Sequence, residues 1–347
     1  MSTPQLDYTP AKHELAYTFG GRTPVARINP RQPFRVSTED CFGGAVRTVD
    51  DLPSQVCQFP YLNPVSGPFY VAGAQPGHTL AIHLIDITPA RDWAMSATFP
   101  HFGALTSTHT TATLQPPLQE QVWRYDLDTA AGTVRYASRQ PPRGARYPYQ
   151  VDLPLDPMLG TIGVAPAAGE VRMTIVPDTH GGNLDTPHLR AGATLYLGVN
   201  VEGAMLSLGD GHARQGDGEA CGVAVEAAMH TVLVVHLIKD TLTPWPRIES
   251  DQRLMSVGLA RPLEDAYRIS QHDLVGWVAD LTALDTLDAY QLVAQAGQAP
   301  VGNVCDANYT MLATIDKTYV RGRTPYRGVH DELRTIGAAH RSPQGGI

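Results

Sequence analysis

The chain is poor in cysteine, poor in charge and free of long apolar runs. Its four cysteines, Cys41, Cys57, Cys221 and Cys305, are scattered through 347 residues with no Cys-x-x-Cys pair. That spacing excludes a zinc ribbon and a thioredoxin-type redox motif, and the thiols are expected to be reduced. Cys41 sits beside Asp40 but has no evident histidine partner, so it reads as a buried thiol and not a nucleophile. Charged residues make up 17%, the formal net charge is −8, and no long basic run occurs. A nucleic acid is therefore not the main partner, because phosphate binding needs clustered lysine and arginine. No stretch approaches the ~20 apolar residues of a membrane helix, and the first residues lack the charged and apolar regions of a secretory signal. The expectation is a cytoplasmic protein with no membrane partner and a small molecule as its ligand.

What the chain has instead is turn chemistry and short apolar runs. With 32 glycines, 28 prolines and 43% hydrophobic residues it has the profile of an ordered, turn-rich protein. From about residue 14 to about 245, segments such as 69–72, 79–87, 171–175 and 231–238 alternate or run apolar over strand lengths. His83 and His236 fall inside such strands and read as structural histidines. After Pro246 the period changes: 262–281 carries apolar residues at helical spacing, with proline and two acids in its first turn. Asp285 can cap a second helix over 286–296, and Gly297 stands where helices commonly end. Trp277 and Leu281 are expected to pack on the β body. The chain thus reads as mainly β, with a β-rich body over 1–245, a helix-containing portion over 246–320 packed on that body, and a polar arm or disordered tail over 321–347.

The segment from Gly209 to Glu219 concentrates three carboxylates, one imidazole and four glycines in eleven residues. Asp210 and His212 are two apart, so on an extended backbone they point to one side with Cα atoms roughly 6.5 Å apart, close enough to share an ion. Glycines between them permit close approach and positive φ. The apolar runs 194–201 and 204–208, joined at Glu202-Gly203, suggest a tight hairpin, with the ligands following its second strand. The alternative is a glycine-rich turn with solvated acids.

Several segments together resemble the acetamidase/formamidase family over roughly residues 35 to 320. The strongest is 209–219 continued through Cys221-Gly222-Val223-Ala224-Val225-Glu226. Others are 63–68 with 73–77, 157–166 and 181–185. The resemblance implies a sandwich or jelly-roll type β fold with a few helices, and hydrolysis of a short primary amide to a carboxylate and ammonia; some relatives act on cyclic amides.

Amide hydrolysis needs a strong nucleophile, stabilisation of the oxyanion and a proton for nitrogen. A coordinated divalent cation meets the first need by lowering the pKa of water from ~15.7 towards ~7. Asp210 and His212 are the first ligand candidates, a mixed O/N set that suits Zn²⁺ first and leaves Mn²⁺, Fe²⁺ and Ca²⁺ open. Asp40, before Gly43-Gly44, resembles the family's N-terminal motif and is the third ligand candidate; its alternative is an Asx-turn stabiliser. Glu219 is assigned as general base and then acid, or else as a ligand. Asp217 shapes the loop, and Glu226 anchors a ligand histidine. Asn183 and Asp185 alternate along an extended strip and are expected to bind the substrate amide, with His180 and His101 as further pocket candidates. The β surface and the resemblance favour a homo-oligomer. Two other readings stay open: hydrolysis of a lactam or related C–N bond, and a non-catalytic protein that binds a metal or ligand.

Overall fold

The computed structural model describes residues 5–105, 118–321 and 323–341. Among these, the strands form two large, mostly antiparallel sheets and one small pair. The first sheet runs in the order Asp7–Tyr8, Phe34–Thr38, Met229–Ile238, Thr79–Pro89, Thr194–Gly198, Arg247–Glu249, Arg253–Ala260, Tyr309–Asp316 and Val301–Asn303. The second runs Gln150–Pro154, Thr133–Ala137, Gln121–Asp128, Trp93–Thr98, Val225–Glu226, Leu206–Arg214, Met158–Gly163 and Gly181–Asn183. Val65–Val71 also pairs with Leu206–Arg214 and, in parallel, with Ala26–Ile28.

One apolar core joins the sheets. Phe34, Ile82, Leu195 and Leu233 of the first meet Phe69, Leu159, Leu206 and Leu208 of the second, all fully buried. Each such side chain contributes ~1.5–3 kcal/mol relative to exposure, which is ample to hold two sheets face to face. Strands buried on both sides read as continuous apolar runs, so the mainly β expectation is borne out where periodicity alone was ambiguous.

The expected hairpin is not formed. Thr194–Gly198 pairs with Thr79–Pro89 and Arg247–Glu249 in the first sheet, whereas Leu206–Arg214 lies in the second. Gly203, Ala204 and Met205 all have positive φ, at 76°, 54° and 61°, and swing the chain from one sheet to the other. Both apolar runs are buried at nearly every position and each takes neighbours on two sides, which a lone hairpin could not supply.

The helices stand close to where the sequence placed them. One spans Leu263–Thr282 and buries Leu274, Trp277 and Val278 against Leu254, Ala313 and Ile315. The other spans Thr286–Ala296, with Asp285 accepting hydrogen bonds from the Leu287 and Asp288 amides. Four strands beyond Pro246 nevertheless extend the first sheet, so the change of composition there marks inserted helices and not the end of the β body. The expectation of an arm from residue 321 is corrected as well. Val329–Gly337 is a helix whose Val329 and Leu333 pack on Ala81, Ile85, Tyr196 and Val234. Its buried stripe, Val329, His330, Leu333 and Gly337, holds only two large apolar residues, and the polar outer face masked it in the sequence. His83 fits its structural reading: it is buried in Thr79–Pro89 with Nδ1 2.9 Å from Thr194 Oγ1. Among the described residues no helix is long and apolar enough to cross a membrane.

Candidate active site

Asp210 and His212 lie within the strand Leu206–Arg214, not beyond its end. The extended spacing does put them on one side: His212 Nε2 is 3.5 Å from Asp210 Oδ1. Asp210 takes φ 55°, a left-handed strain that sequence-neutral packing does not require and that often marks functional positions. The neighbouring strands complete the constellation. His212 is opposite Glu226 on one side. On the other, Leu159 and Thr161 pair with Gly211 and Gly209, which sets Gly160 across from Asp210, and Thr161 pairs onward with Asn183.

Gly160 makes the room. A Cβ there would collide with the carboxylate of Asp185, lie 2.5 Å from Asp210 Oδ2 and 3.0 Å from the His212 ring. Only a residue without a side chain lets three ligand-type groups converge on one spot.

The hydrogen bonds then fix which atoms face that spot. Gln215 Nε2 donates to the Asp185 and Gly302 carbonyls at 2.7 and 3.0 Å, so its Oε1 must be the acceptor for His212 Nδ1–H at 2.9 Å. In the neutral ring the Nε2 lone pair is thereby aimed at Glu226 Oε2, Asp210 Oδ1 and Asp185 Oδ1, at 3.4, 3.5 and 4.0 Å. All three oxygens are buried and lack a hydrogen-bond partner among the described residues. Their companion oxygens are occupied: Asp210 Oδ2 accepts from Asn63 Nδ2 and Thr161 Oγ1 at 3.0 and 3.2 Å, Glu226 Oε1 from the Ala224 amide at 2.8 Å, and Asp185 Oδ2 from Asn183 Nδ2. A lone pair facing three orphaned oxygens is repulsive unless a proton or a cation stands between them. Donor atoms on a tetrahedral ion at ~2.1 Å are roughly 3.4 Å apart, the spacing of the two shorter contacts. The residues therefore fit a divalent cation.

Electrostatics point the same way. Five carboxyl groups, Asp185, Asp210, Glu219, Glu226 and Asp306, are gathered here, each buried, and among the described residues no lysine or arginine lines the adjoining cavity. Burial pushes Glu219 up to about 8, with Glu226, Asp306 and Asp210 adding to the rise and His212 opposing it. Burial likewise raises Glu226 to about 7 and Asp306 to about 7. His212 is pushed well above its usual range by Glu226 and Asp210 in spite of its burial. Two neutral thiols accompany the acids: Cys305 Sγ lies 3.6 Å from Glu219 Oε2, and burial beside Glu226 holds the Cys41 thiol protonated. Above this floor opens a cavity of about 620 Å³, bordered by Asn63, Asn183, Asp210, Glu219, Glu226 and Asp306 below and by apolar side chains around its walls.

The sequence model of the acetamidase/formamidase family matches residues 22–171 and 155–262. This chain belongs to that family. A formamidase of Methylophilus methylotrophus is 28% identical over 262 residues, and an acetamidase of Mycolicibacterium smegmatis is 28% identical over 269. Each alignment covers 62% of the chain and 62% and 63% of the relatives, so the chain spans about three fifths of the length of the curated relatives it matches. The crystal structure of an acetamidase from Yersinia enterocolitica superposes with a TM-score of 0.83 at 38% identity, covering 92% of this chain and 94% of that one.

In this family member the structure brings together Asp210, His212, Glu219, Asn183 and Asp185, and separates Asp40 and His180 from them. Asp40 Oδ1 accepts from the Phe42 and Gly44 amides at 3.0 and 2.9 Å, and Oδ2 pairs with Arg91 at 3.0 Å. Oδ1 is thus spent on the turn, the Asx role, and Oδ2 on Arg91, while burial with Glu39 alongside raises this carboxyl to about 6 against the pull of the Gly44 amide and Arg91. His180 is buried edge-on to Phe19 at 5.2 Å, away from the cavity lining. His101 is exposed, and Asp217 is exposed on the turn after the strand. Gln215, not Glu226, holds the far nitrogen of His212; Glu226 faces the same nitrogen as the other acids.

Asp306, Cys305, Asn63, Thr161 and Gln215 were not among the sequence candidates. Asp306 comes from the turn between Val301–Asn303 and Tyr309–Asp316 and receives a hydrogen bond from Asn183 Nδ2 at 2.9 Å. The polar pair Asn303 and Asp306, at the end of one strand and in the turn before the next, was its one signal. Gln215 stands inside the segment first singled out, but an uncharged amide carried no mark of its role.

Proposed function

We propose that this chain is a metal-dependent amidohydrolase that cleaves a primary carboxamide to a carboxylate and ammonia. The observation that carries the reading is the set of three carboxylate oxygens around His212 Nε2, without a hydrogen-bond partner among the described residues, in a cluster whose Asp210 and Glu226 line the cavity. Ligand atoms lie within 4.8 Å of one another in two adjoining groups, Asp185, His212 and Glu219, and Cys41, Asp210 and Glu226. His212 with the acids nearest its Nε2, Asp185, Asp210 and Glu226, would hold the cation, and Zn²⁺ and Mn²⁺ suit such an oxygen-rich set with one imidazole, whereas the imidazole disfavours Ca²⁺. Once bound, the cation supplies Lewis acidity where the amide carbonyl and water meet.

The remaining work falls to side chains of the chain. Glu219 borders the cavity in a buried setting that raises its carboxyl into the neutral range, suited to taking a proton from water and giving it to the departing nitrogen. Asn63 and Asn183 bond each other and the acids at 2.9–3.1 Å, and this network fixes the carboxylates before substrate arrives. Gln215 holds the His212 ring in one tautomer. The relatives named formamidase and acetamidase support the linear amide as the bond class. The test is ammonia release from a panel of primary amides by the wild-type protein and by Glu219→Gln. The variant should retain the fold and its metal content while losing roughly 10²-fold or more in kcat; a Gln variant with wild-type turnover removes Glu219 from the chemistry.

A further inference from the structure

The cavity above the acids is built for something larger than the simplest amides. Formamide and acetamide have only about three or four non-hydrogen atoms, a few waters' worth of space at ~30 Å³ each. The cavity measures about 620 Å³, a size that encloses ligands with a ring system. Four of the chain's seven phenylalanines, Phe42, Phe59, Phe99 and Phe102, line it. Three of them form an edge-to-face series: Phe59 and Phe99 have centroids 6.4 Å apart at 88°, and Phe99 and Phe102 are 6.2 Å apart at 86°. Leu62 and Ile175 continue the apolar wall. Phe59 is 54% exposed and presents an aromatic face on the cavity wall.

Charge narrows the class further. Acids of the cluster and Glu120 line the space, while no lysine or arginine does among the described residues. An acyl group that carries its own carboxylate would find no cationic side chain among the described lining residues to pair with, and Glu120 and the acid cluster would oppose it. From these observations we infer that the substrate is a primary amide whose acyl group is uncharged and bears an aromatic ring, seated among Phe59, Phe99 and Phe102 with its carboxamide on the acid floor. The inference rests on the amidohydrolase reading and adds the acyl group. Aromatic rings meeting edge to face bind beyond their buried area, and burial remote from the reacting carbon is available to raise turnover as well as affinity.

The test compares kcat/KM for ammonia release from 2-phenylacetamide and from acetamide by the purified full chain, loaded with Zn²⁺ or Mn²⁺. The aromatic amide should be preferred by roughly tenfold to a hundredfold, the factor expected for burying one phenyl group. Phe102→Ala and Phe59→Ala should each reduce that ratio severalfold. Since Phe59 is largely exposed, its variant keeps the fold even if Phe102→Ala does not. A ratio at or below one while acetamide is hydrolysed overturns the aromatic assignment and leaves the amidase reading standing. A ratio that neither variant changes also overturns it. If no amide in the panel is hydrolysed, the amidase reading falls and takes the inference with it.

Discussion

Replacing Gly160 by alanine tests the convergence of the acids with a single methyl group. The added Cβ would collide with Asp185, lie 2.5 Å from Asp210 Oδ2 and touch the His212 ring at 3.0 Å. Carbon and oxygen resist approach below roughly 3 Å, so the two carboxylates must each retreat by about half an ångström or more. Overpacking of this kind costs ~1–3 kcal/mol, which leaves a chain of this size folded, with its Tm lowered by only a few degrees. Function should suffer far more than stability. Ligand groups displaced by that distance no longer meet one ion, and disturbances to the support of a metal site typically cost 10–100-fold in affinity or activity. The assay is paired: cation affinity by titration calorimetry on stripped protein, and ammonia release at saturating metal, with circular dichroism as the folding control. A folded Gly160→Ala protein that binds Zn²⁺ or Mn²⁺ and turns over like wild type would refute the convergence argument.

Further outcomes follow from the same geometry. Gln215→Leu leaves His212 Nδ1–H without its acceptor and two carbonyls, of Asp185 and Gly302, without their donor; metal affinity should fall about 10–100-fold, and unchanged affinity would show that the His212 orientation is set by something else. His180 provides a pH signature of stability, because burial lowers its pKa from 6.5 to about 4. Because the unfolded state takes up the proton first, stability is lost progressively as pH falls from about 6.5 to about 4 and changes no further below that, an effect of ~2–3 kcal/mol by pH 4.5. Urea unfolding at pH 7 and 4.5 should therefore show a smaller acid loss in His180→Phe than in wild type; equal losses would place the acid sensitivity on other groups.

How much of this was legible in the sequence differs from element to element. The helices 263–282 and 286–296 were readable because their caps and spacing are local. Asp210 and His212 were readable because period-two alternation survives on any extended backbone. The hairpin failed for the opposite reason: two apolar runs and a Glu-Gly joint look alike whether the strands pair with each other or part into separate sheets. Partners set by long-range packing left little trace. Asp306 meets Asn183 across 123 residues, and Gln215 gains its meaning only from carbonyls at positions 185 and 302. Asp40 was open to two readings because an acid before two glycines serves a turn as readily as a metal, and the structure places its oxygens on the turn and on Arg91. His180 misled because a histidine beside Gly181-Gly182 looks accessible, whereas those glycines let the backbone fold it inward against Phe19.

The most direct measurement of the central claim is ammonia release by the protein before chelation, after thorough stripping of metal, and after return of measured amounts of Zn²⁺ or Mn²⁺ to a solution of primary amide. The cluster around His212 predicts that activity vanishes on stripping and returns in proportion to bound cation, saturating near about one ion per chain. Undiminished hydrolysis by protein shown to be metal-free would contradict it.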